Sequence, residues 1–425
     1  MSQSRRISTD AIAELERMPT VLDSSEALAT TIRPPMLRWL AVVAVMLGIF
    51  SIVTTEILPI GLLTSIGADF TVSDGMAGLM MTMPGLLAAV AAPLITVAAA
   101  RIDRKLLLCA CTLLLVLANA VAAIAPDFWL VLISRVLIGI TIGGYWSIAA
   151  GLAGRLVPPE STARATAVIF ASVPLGSVLG VPAGTFVGNL AGWRAAFVVL
   201  GILSAGVLLL LLIALPPLPA VQVVRLSTLR AGLRGNGVRS ALLATFFVVL
   251  AQFGTYTYVT PFLEQVTGVN AATITVLLLI YGIAGIVGNF LGGALVGRRP
   301  RVTLACAAAL MACATLLLPT FGRWEIGAGV LLIVWGVGYG AVPVAVQTWF
   351  ANAVRDTPEV ASVLFTASFQ ATFSLGALVG GIIVDRTSPS TVMLLGGATA
   401  LLVLVVTSGV IDARRTIRQA ELHDR

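Results

Sequence analysis

The chain has 425 residues, of which 58% are hydrophobic and 11% are charged, with a formal net charge of +7. Soluble domains carry about 25% charged residues, so this composition excludes an ordinary soluble protein and indicates a membrane protein. Apolar stretches of about 20 residues recur, and each is long enough to cross a bilayer as a helix with its backbone hydrogen bonds satisfied internally. We expect an all-α membrane protein with twelve transmembrane helices, over residues 38–65, 75–99, 105–125, 128–152, 163–189, 193–214, 241–264, 271–297, 302–320, 326–350, 359–384 and 390–411.

The polar stretches divide the chain into predicted domains. Residues 1–36 are polar and of mixed charge, and we interpret them as an N-terminal tail. The first apolar run begins near Trp39, too late and too long for a secretory signal peptide. The remaining predicted parts are a six-helix bundle over 37–214, a linker over 215–240, a second six-helix bundle over 241–411 and a C-terminal tail over 412–425.

Glu56 is the one acid that we place well inside a predicted span. It lies in the stretch VTTEILPIGLL of span 1, roughly 15 Å from the nearer end at 1.5 Å per residue. A carboxylate in hydrocarbon costs on the order of several kcal/mol, so an acid at this depth indicates function. Apolar burial favours the protonated form of a carboxyl group and a nearby cation favours the ionised form, so Glu56 suits proton exchange. The alternative is an interfacial acid that only caps a helix or snorkels.

Two further residues near this depth are candidates for the same machinery. Pro59 removes a backbone donor and predicts a kink in span 1, although proline is also simply tolerated in membrane helices. Arg135 lies in span 4, roughly 10 Å from the end that faces the same side. It is opposite in charge to Glu56 and similar in depth, so we expect the two to approach each other or to share a water network. The alternative for Arg135 is structural, namely bonding to backbone carbonyls of a neighbouring helix.

Aromatic and amide side chains inside the spans are candidates for binding a substrate. Residues four apart share one face of a helix, as Gln252 and Tyr256 do in span 7 and Trp335 and Tyr339 do in span 10. Such faces suit a flat heterocycle such as a purine, and they suit a sugar ring or simple packing as well. The predicted substrate-binding residues are Gln252, Tyr256, Trp335, Tyr339, Tyr145, Trp146 and Asn289.

The glycine residues indicate close helix packing, and the cysteine and histidine residues do not indicate a metal site. Gly176, Gly180 and Gly184 recur at four-residue spacing in span 5 and predict a face for close helix packing. The four cysteines lack metal-ligand spacing, and the single histidine, His423, lies in the C-terminal tail. We therefore expect no metal and no cofactor, and nothing in the spans pairs a nucleophile with a base as an enzyme would require.

The basic residues set the predicted orientation. With the N-terminus assigned to the cytoplasm, 22 of the 26 Lys and Arg residues fall on the cytoplasmic side, three on the other side, and Arg135 inside span 4. This asymmetry fits the positive-inside rule for twelve spans with both termini cytoplasmic. The net positive charge is therefore explained by the orientation of the chain in the membrane. The expected partner is the lipid bilayer and not a nucleic acid.

The two halves of the chain repeat each other at an offset near 200 residues. The matching positions are Gly139 and Gly143 with Gly336 and Gly340, Pro159 with Pro358, and Gly176 and Gly180 with Gly376 and Gly380. Both halves also carry a basic cluster between their second and third spans, RIDRK and RRPR. We expect two six-helix pseudo-repeats.

This organisation resembles the major facilitator superfamily. The stretch RVLIG, from Arg135 to Gly139, resembles the arginine motif of its fourth span, and the run from Gly176 through Pro182 to Gly184 resembles the glycine-proline motif of proton antiporters. The stretches TTEILPIGLL, GGYW, LVP and GWR are similar to the drug:proton antiporter branch, above all to purine ribonucleoside efflux permeases, with sugar efflux transporters next. Two features depart from the patterns: Val181 intervenes between Gly180 and Pro182, and AAARIDRK lacks the glycine and leading aspartate of the family's gating motif.

The resemblance implies a function. It implies a secondary transporter of the bacterial inner membrane, expected to be monomeric, whose central cavity lies among spans 1, 4, 7 and 10 and alternates in access. Glu56 and Arg135 would couple protons, and Arg101, Arg104, Pro59, Gly139 and the span 5 motif would serve gating or packing. The expected activity is export of a small organic substrate, purine ribonucleosides first, by proton antiport. The alternatives are efflux of sugars or amphipathic drugs, and a proton-independent facilitator or importer on the same fold.

Overall fold

A computed structural model describes residues 34–98, 102–219, 236–297, 299–353 and 358–408. Twelve of its helices are long and apolar enough to cross a membrane, which confirms the predicted number of spans. In chain order the spans are Pro35–Ile57 continued by Pro59–Asp69, Asp74–Ala77 with Leu79–Ala98, Arg104–Ile124, Phe128–Leu156, Thr162–Ala191, Trp193–Ala214, Asn236–Tyr256 continued by Val259–Phe262, Ala271–Val296, Pro300–Phe321, Glu325–Ala353, Pro358–Arg386 and Pro389–Thr407. The predicted C-terminal tail, and most of the predicted N-terminal tail and linker, lie outside the described residues, and the predicted domain boundaries stay predictions.

Span 2 is interrupted at Gly78, and spans 1 and 7 are interrupted near the same end of the bundle, where the sequence predicted a kink in span 1 and continuous helices in the other two. Span 1 ends at Ile57, and a separate helix begins at Pro59 after a turn at Leu58. Span 7 ends at Tyr256, eight residues before its predicted end at 264, and resumes at Val259. Pro59 and Pro261 each lack the N–H that would continue the helical hydrogen-bond ladder, which accounts for the breaks in spans 1 and 7.

The helices pack in the same pattern in both halves of the chain. In the first half, span 2 packs on span 4, span 3 on spans 4 and 6, and span 1 on spans 5 and 6. In the second half the pairs are span 8 with span 10, span 9 with spans 10 and 12, and span 7 with spans 11 and 12. Each pair recurs six spans later, so the fold is two six-helix pseudo-repeats, as the sequence repeat predicts.

The halves meet chiefly along two helix pairs, span 2 with span 11 and span 5 with span 8. Glycines permit the close approach. A Cβ on Gly85 of span 2 would lie 2.8 Å from the carbonyl oxygen of Gln370, and one on Gly282 of span 8 would lie 2.9 Å from the Cα of Val178. Larger side chains at these positions would push the helices apart.

At one end of the bundle hydrogen bonds join the halves, and we call it the closed end. The carboxylate of Asp385 in span 11 accepts from the Ser73 hydroxyl at 2.6 Å and from the backbone N–H of Gly75 at 2.8 Å. The Thr64 hydroxyl donates to Glu264 at 2.9 Å.

Candidate functional site

Glu56 lies between the two halves, on the last turn of span 1 before the break. Its side chain is 8% exposed, and its carboxylate accepts a hydrogen bond of 3.0 Å from Nε2 of Gln370 in span 11. The Glu56 carboxylate therefore contacts the C-terminal half through the Gln370 amide, and a change in its charge acts directly on the contact between the halves.

Arg135 lies on the other side of span 1, inside the N-terminal half. It is fully buried, its Nη1 donates to the carbonyl oxygen of Thr55 at 3.0 Å, and its guanidinium lies 4.8 Å from the centre of the Phe197 ring. In an unbroken helix the N–H of residue 59 would donate to Thr55, and Pro59 has none. Arg135 thus supplies the hydrogen-bond donor that Pro59 lacks. Bonding to a backbone carbonyl of a neighbouring helix is the structural role that the sequence allowed for Arg135 as the alternative to proton coupling.

The structure does not bring Glu56 and Arg135 into contact. Among the described residues no ion pair joins them, because Glu56 is directed to span 11 and Arg135 to the backbone of Thr55 and to span 6. The two residues instead act on consecutive positions of span 1, directly before its break.

Substitutions of Pro59 and Arg135, singly and together, test this account of the break in span 1. We expect Arg135→Met to destabilise the protein by about 1–3 kcal/mol, because the carbonyl of Thr55 loses its donor in a buried place. In a Pro59→Ala background the restored N–H can bond the same carbonyl, so Arg135→Met should cost less there. Thermal unfolding in detergent of the two single variants and the double variant measures the coupling. Strictly additive effects would contradict the proposed replacement of one donor by the other.

Four of the residues predicted to bind substrate form or adjoin one aromatic cluster in the C-terminal half. Gln252 donates from Nε2 to the Tyr281 hydroxyl and accepts from the Trp335 indole N–H, both at 2.8 Å. Tyr256 stacks on Tyr281 with ring centres 4.5 Å apart. Tyr339 packs against the hydrophobic core that contains Tyr256, Tyr281 and Trp335. Gln252 and Trp335 are fully buried and partnered, so they hold the cluster rigid, whereas Tyr339 is half-buried.

The structure adds phenylalanines that the sequence analysis did not select. The Phe253 ring lies 5.9 Å from that of Tyr339, 6.0 Å from that of Phe369 and 3.9 Å from that of Phe373, measured between ring centres. Phe369 directly precedes Gln370, the partner of Glu56. Phenylalanine in a membrane helix gives no distinctive signal, because lipid-facing positions use it equally.

The other three predicted substrate residues lie apart from this cluster. Tyr145 is buried inside the N-terminal half against Gly48 of span 1, and a Cβ on that glycine would collide with its hydroxyl. Trp146 is half-buried, with its ring centre 6.2 Å from that of Phe170. Asn289 is half-buried beside Gly340 of span 10, and its amide has no hydrogen-bond partner in the part of the chain that the structure describes.

The residues predicted for gating and packing have separate surroundings. Gly176, Gly180 and Gly184 lie along span 1, where added Cβ atoms would meet Val53, Thr54 and Leu58 in turn. Gly139 packs on span 2 at Pro84, and Pro182 is buried within span 5. Arg104 begins span 3, where its backbone N–H donates to Leu218 at 2.8 Å. Arg101 lies outside the described residues.

Comparisons with known proteins agree with this architecture. The family model described as Major Facilitator Superfamily matches residues 40–367. The purine ribonucleoside efflux pump NepI of Escherichia coli (strain K12) is 31% identical over 382 residues, which cover 89% of this chain and 96% of that protein. A protein of Pseudomonas aeruginosa named transcription regulatory protein OpdE is 35% identical over 384 residues, covering 87% of this chain and 93% of its own length.

Solved structures show the same fold at lower identity. The human organic anion transporter MFSD10 (TETRAN) aligns with a TM-score of 0.67 at 17% identity. The alignment covers 88% of this chain and 100% of the transporter's chain. A bacterial homologue of the human lysosomal transporter Spinster, inward-facing and occupied, aligns with a TM-score of 0.66 at 20% identity, covering 90% of this chain and 98% of its own. The family match spans most of the chain, so the predicted resemblance is confirmed. The chain belongs to the Major Facilitator Superfamily, and it is a multi-pass membrane transporter and not an enzyme.

Proposed function

We propose that this transporter exports purine ribonucleosides in exchange for protons. The observation that carries the proposal is the hydrogen bond from Gln370 to Glu56, which places an ionisable group between the two halves and beside a set of aromatic rings. The similarity to a purine ribonucleoside efflux pump over nearly the whole chain supports the substrate class.

Glu56 is the proposed proton carrier. As a carboxylate it accepts from Gln370 and draws spans 1 and 11 together; once protonated, it loses the charge that strengthens this bond. Proton binding therefore changes the free energy of the contact between the halves, which is the condition for coupling a proton to alternating access.

The proposed substrate site lies on the C-terminal side of Glu56. The rings of Tyr339 and Phe369, which both pack on buried Phe253, supply aromatic surface for a purine base, and the Tyr339 hydroxyl and the Gln370 amide supply polar partners. Base-on-ring stacking is worth about 1–3 kcal/mol and hydrogen bonding selects orientation. Gln252 and Trp335 do not contact the substrate in this proposal. They fix the position of Tyr281, which stacks on Tyr256 and holds it in place.

The described conformation is proposed to face inward. The positive-inside rule assigns the loops at the closed end to the outer side, and the halves are hydrogen-bonded there at Asp385 and Glu264. Opening of that end would release the substrate outside and admit a proton to Glu56.

Reconstitution in liposomes tests the function. With an imposed proton gradient and a pH-sensitive dye inside, inosine and guanosine should each release the gradient through the native protein. Arabinose and a lipophilic cation serve as probes of the alternative substrates. Nucleoside uptake without proton movement would identify a facilitator, and a response to arabinose alone would assign the site to sugars; both results would overturn the proposal.

Truncating Phe369 tests the position of the substrate site. We expect Phe369→Ala to raise the KM for inosine about tenfold through the loss of ring contact. Phe290→Ala is the matched control, because Phe290 in span 8 is 75% exposed and belongs to the outer surface of the bundle. Initial rates of inosine uptake into proteoliposomes measure both. Equal effects of the two substitutions would contradict a substrate contact at Phe369.

A further inference from the structure

A cavity separate from the transport site opens at the end of the C-terminal half that lies away from the closed end. It has a volume of about 440 Å³ and forms where span 7 begins, span 9 begins and span 10 ends. Its lining includes Gly237, Arg299, Arg301, Trp349 and Asn352. It shares no residue with the cluster around Glu56, so proton exchange does not account for it.

Two arginines give this cavity its charge. The Arg301 guanidinium lies 5.0 Å from the centre of the Trp349 ring, and this cation–π contact orients it at the cavity wall. The Arg299 side chain is exposed, and in the part of the chain that the structure describes it has no hydrogen-bond or ion-pair partner. A cation that is exposed at the edge of a cavity and a second one held in its wall favour an anionic ligand.

The rest of the lining is mostly apolar. Trp349 is buried behind Arg301, and Pro300, Val302 and Ala353 complete the wall around the amide of Asn352. A small soluble anion would gain nothing from this surface, whereas a phospholipid has a phosphate for the arginines and a glycerol backbone for the apolar part. The cavity also lies at the first turn of span 9 and the last turn of span 10, the level at which headgroups meet a membrane protein.

We propose that this cavity binds the headgroup of an anionic phospholipid. The phosphate is held by Arg299 and Arg301, and Asn352 offers an amide to the hydroxyls of a headgroup such as phosphatidylglycerol. The lipid would connect the starts of spans 7 and 9 with the end of span 10, three helices of the half that moves against the other.

Native mass spectrometry with defined lipids tests the site. The full chain in detergent is titrated with phosphatidylglycerol and, separately, with phosphatidylcholine, and the fraction of lipid-bound protein is measured. We expect tighter binding of phosphatidylglycerol and a loss of about fivefold in its apparent affinity in Arg299→Gln. Arg239→Gln is the matched control, since Arg239 is an exposed arginine of span 7 near the same end but does not line the cavity.

Arg299 is exposed, so its substitution leaves the fold intact, and a thermal unfolding curve checks this. Equal losses in the Arg299 and Arg239 variants would overturn the proposal in favour of general charge attraction, as would equal binding of the two lipids. Glycerol 3-phosphate is added as a competitor in a third arm. If it displaces phosphatidylglycerol at millimolar concentration, the site takes a soluble phosphate ester and the lipid assignment is wrong.

Discussion

Glu56→Gln is expected to lose proton-driven nucleoside transport while keeping exchange of nucleoside across the membrane. The amide is isosteric with the carboxyl group and can still bond Gln370, but it cannot take up or release a proton. We expect the gradient-driven rate to fall by about 100-fold, the upper range of coupling between two sites. Uptake of labelled inosine driven by a pH gradient, set against counterflow with no gradient, separates the two activities in one preparation.

An acid outside the site provides the control for Glu56. Glu325 is exposed at the start of span 10, and Glu325→Gln removes the same charge from the chain without touching the interface between the halves. Its gradient-driven uptake should equal that of the native protein. If Glu56→Gln retains proton-coupled uptake, Glu56 is an interfacial acid and the proposed mechanism is wrong, although the family and the fold stand.

Gly75→Val is expected to keep the closed end from closing. Gly75 lies at the start of span 2, and an added Cβ would collide with the Asp385 carboxylate and with the carbonyl oxygen of Gly381 in span 11. Overpacking of this kind costs about 1–3 kcal/mol, so the population that is closed at this end should fall up to about 100-fold. Transport should slow with it, because one of the two alternating states becomes rare.

Spin labels report the closure directly. Ala68 and Arg386 are exposed near the closed end in opposite halves, so cysteines there carry labels whose distance reports the gap between the halves. Gly75→Val should shift the distance distribution to longer values. Gly206→Val is the control, because a Cβ at Gly206 meets nothing within 4 Å, and it should leave the distribution unchanged. An unchanged distribution in Gly75→Val would mean that this glycine contact does not hold the end closed.

The sequence by itself determined the class of this protein. Span length and the low charge content follow from the cost of polar backbone and charged side chains in lipid, and the local pattern alone records that cost. The repeat at an offset near 200 residues is visible directly as self-similarity of the sequence. The same reasoning singled out Glu56 as the interior acid and predicted a kink at Pro59, since each effect depends on one residue and its immediate surroundings.

Only the tertiary structure decided which residues meet. Gln370 bonds Glu56 from 314 positions away, and Arg135 bonds the carbonyl that Pro59 leaves without a donor instead of pairing with Glu56. A polar side chain in a span must find a partner, but helices are nearly alike in composition on every face. The identity of the partner depends on the rotation and crossing of whole helices, which no local pattern records.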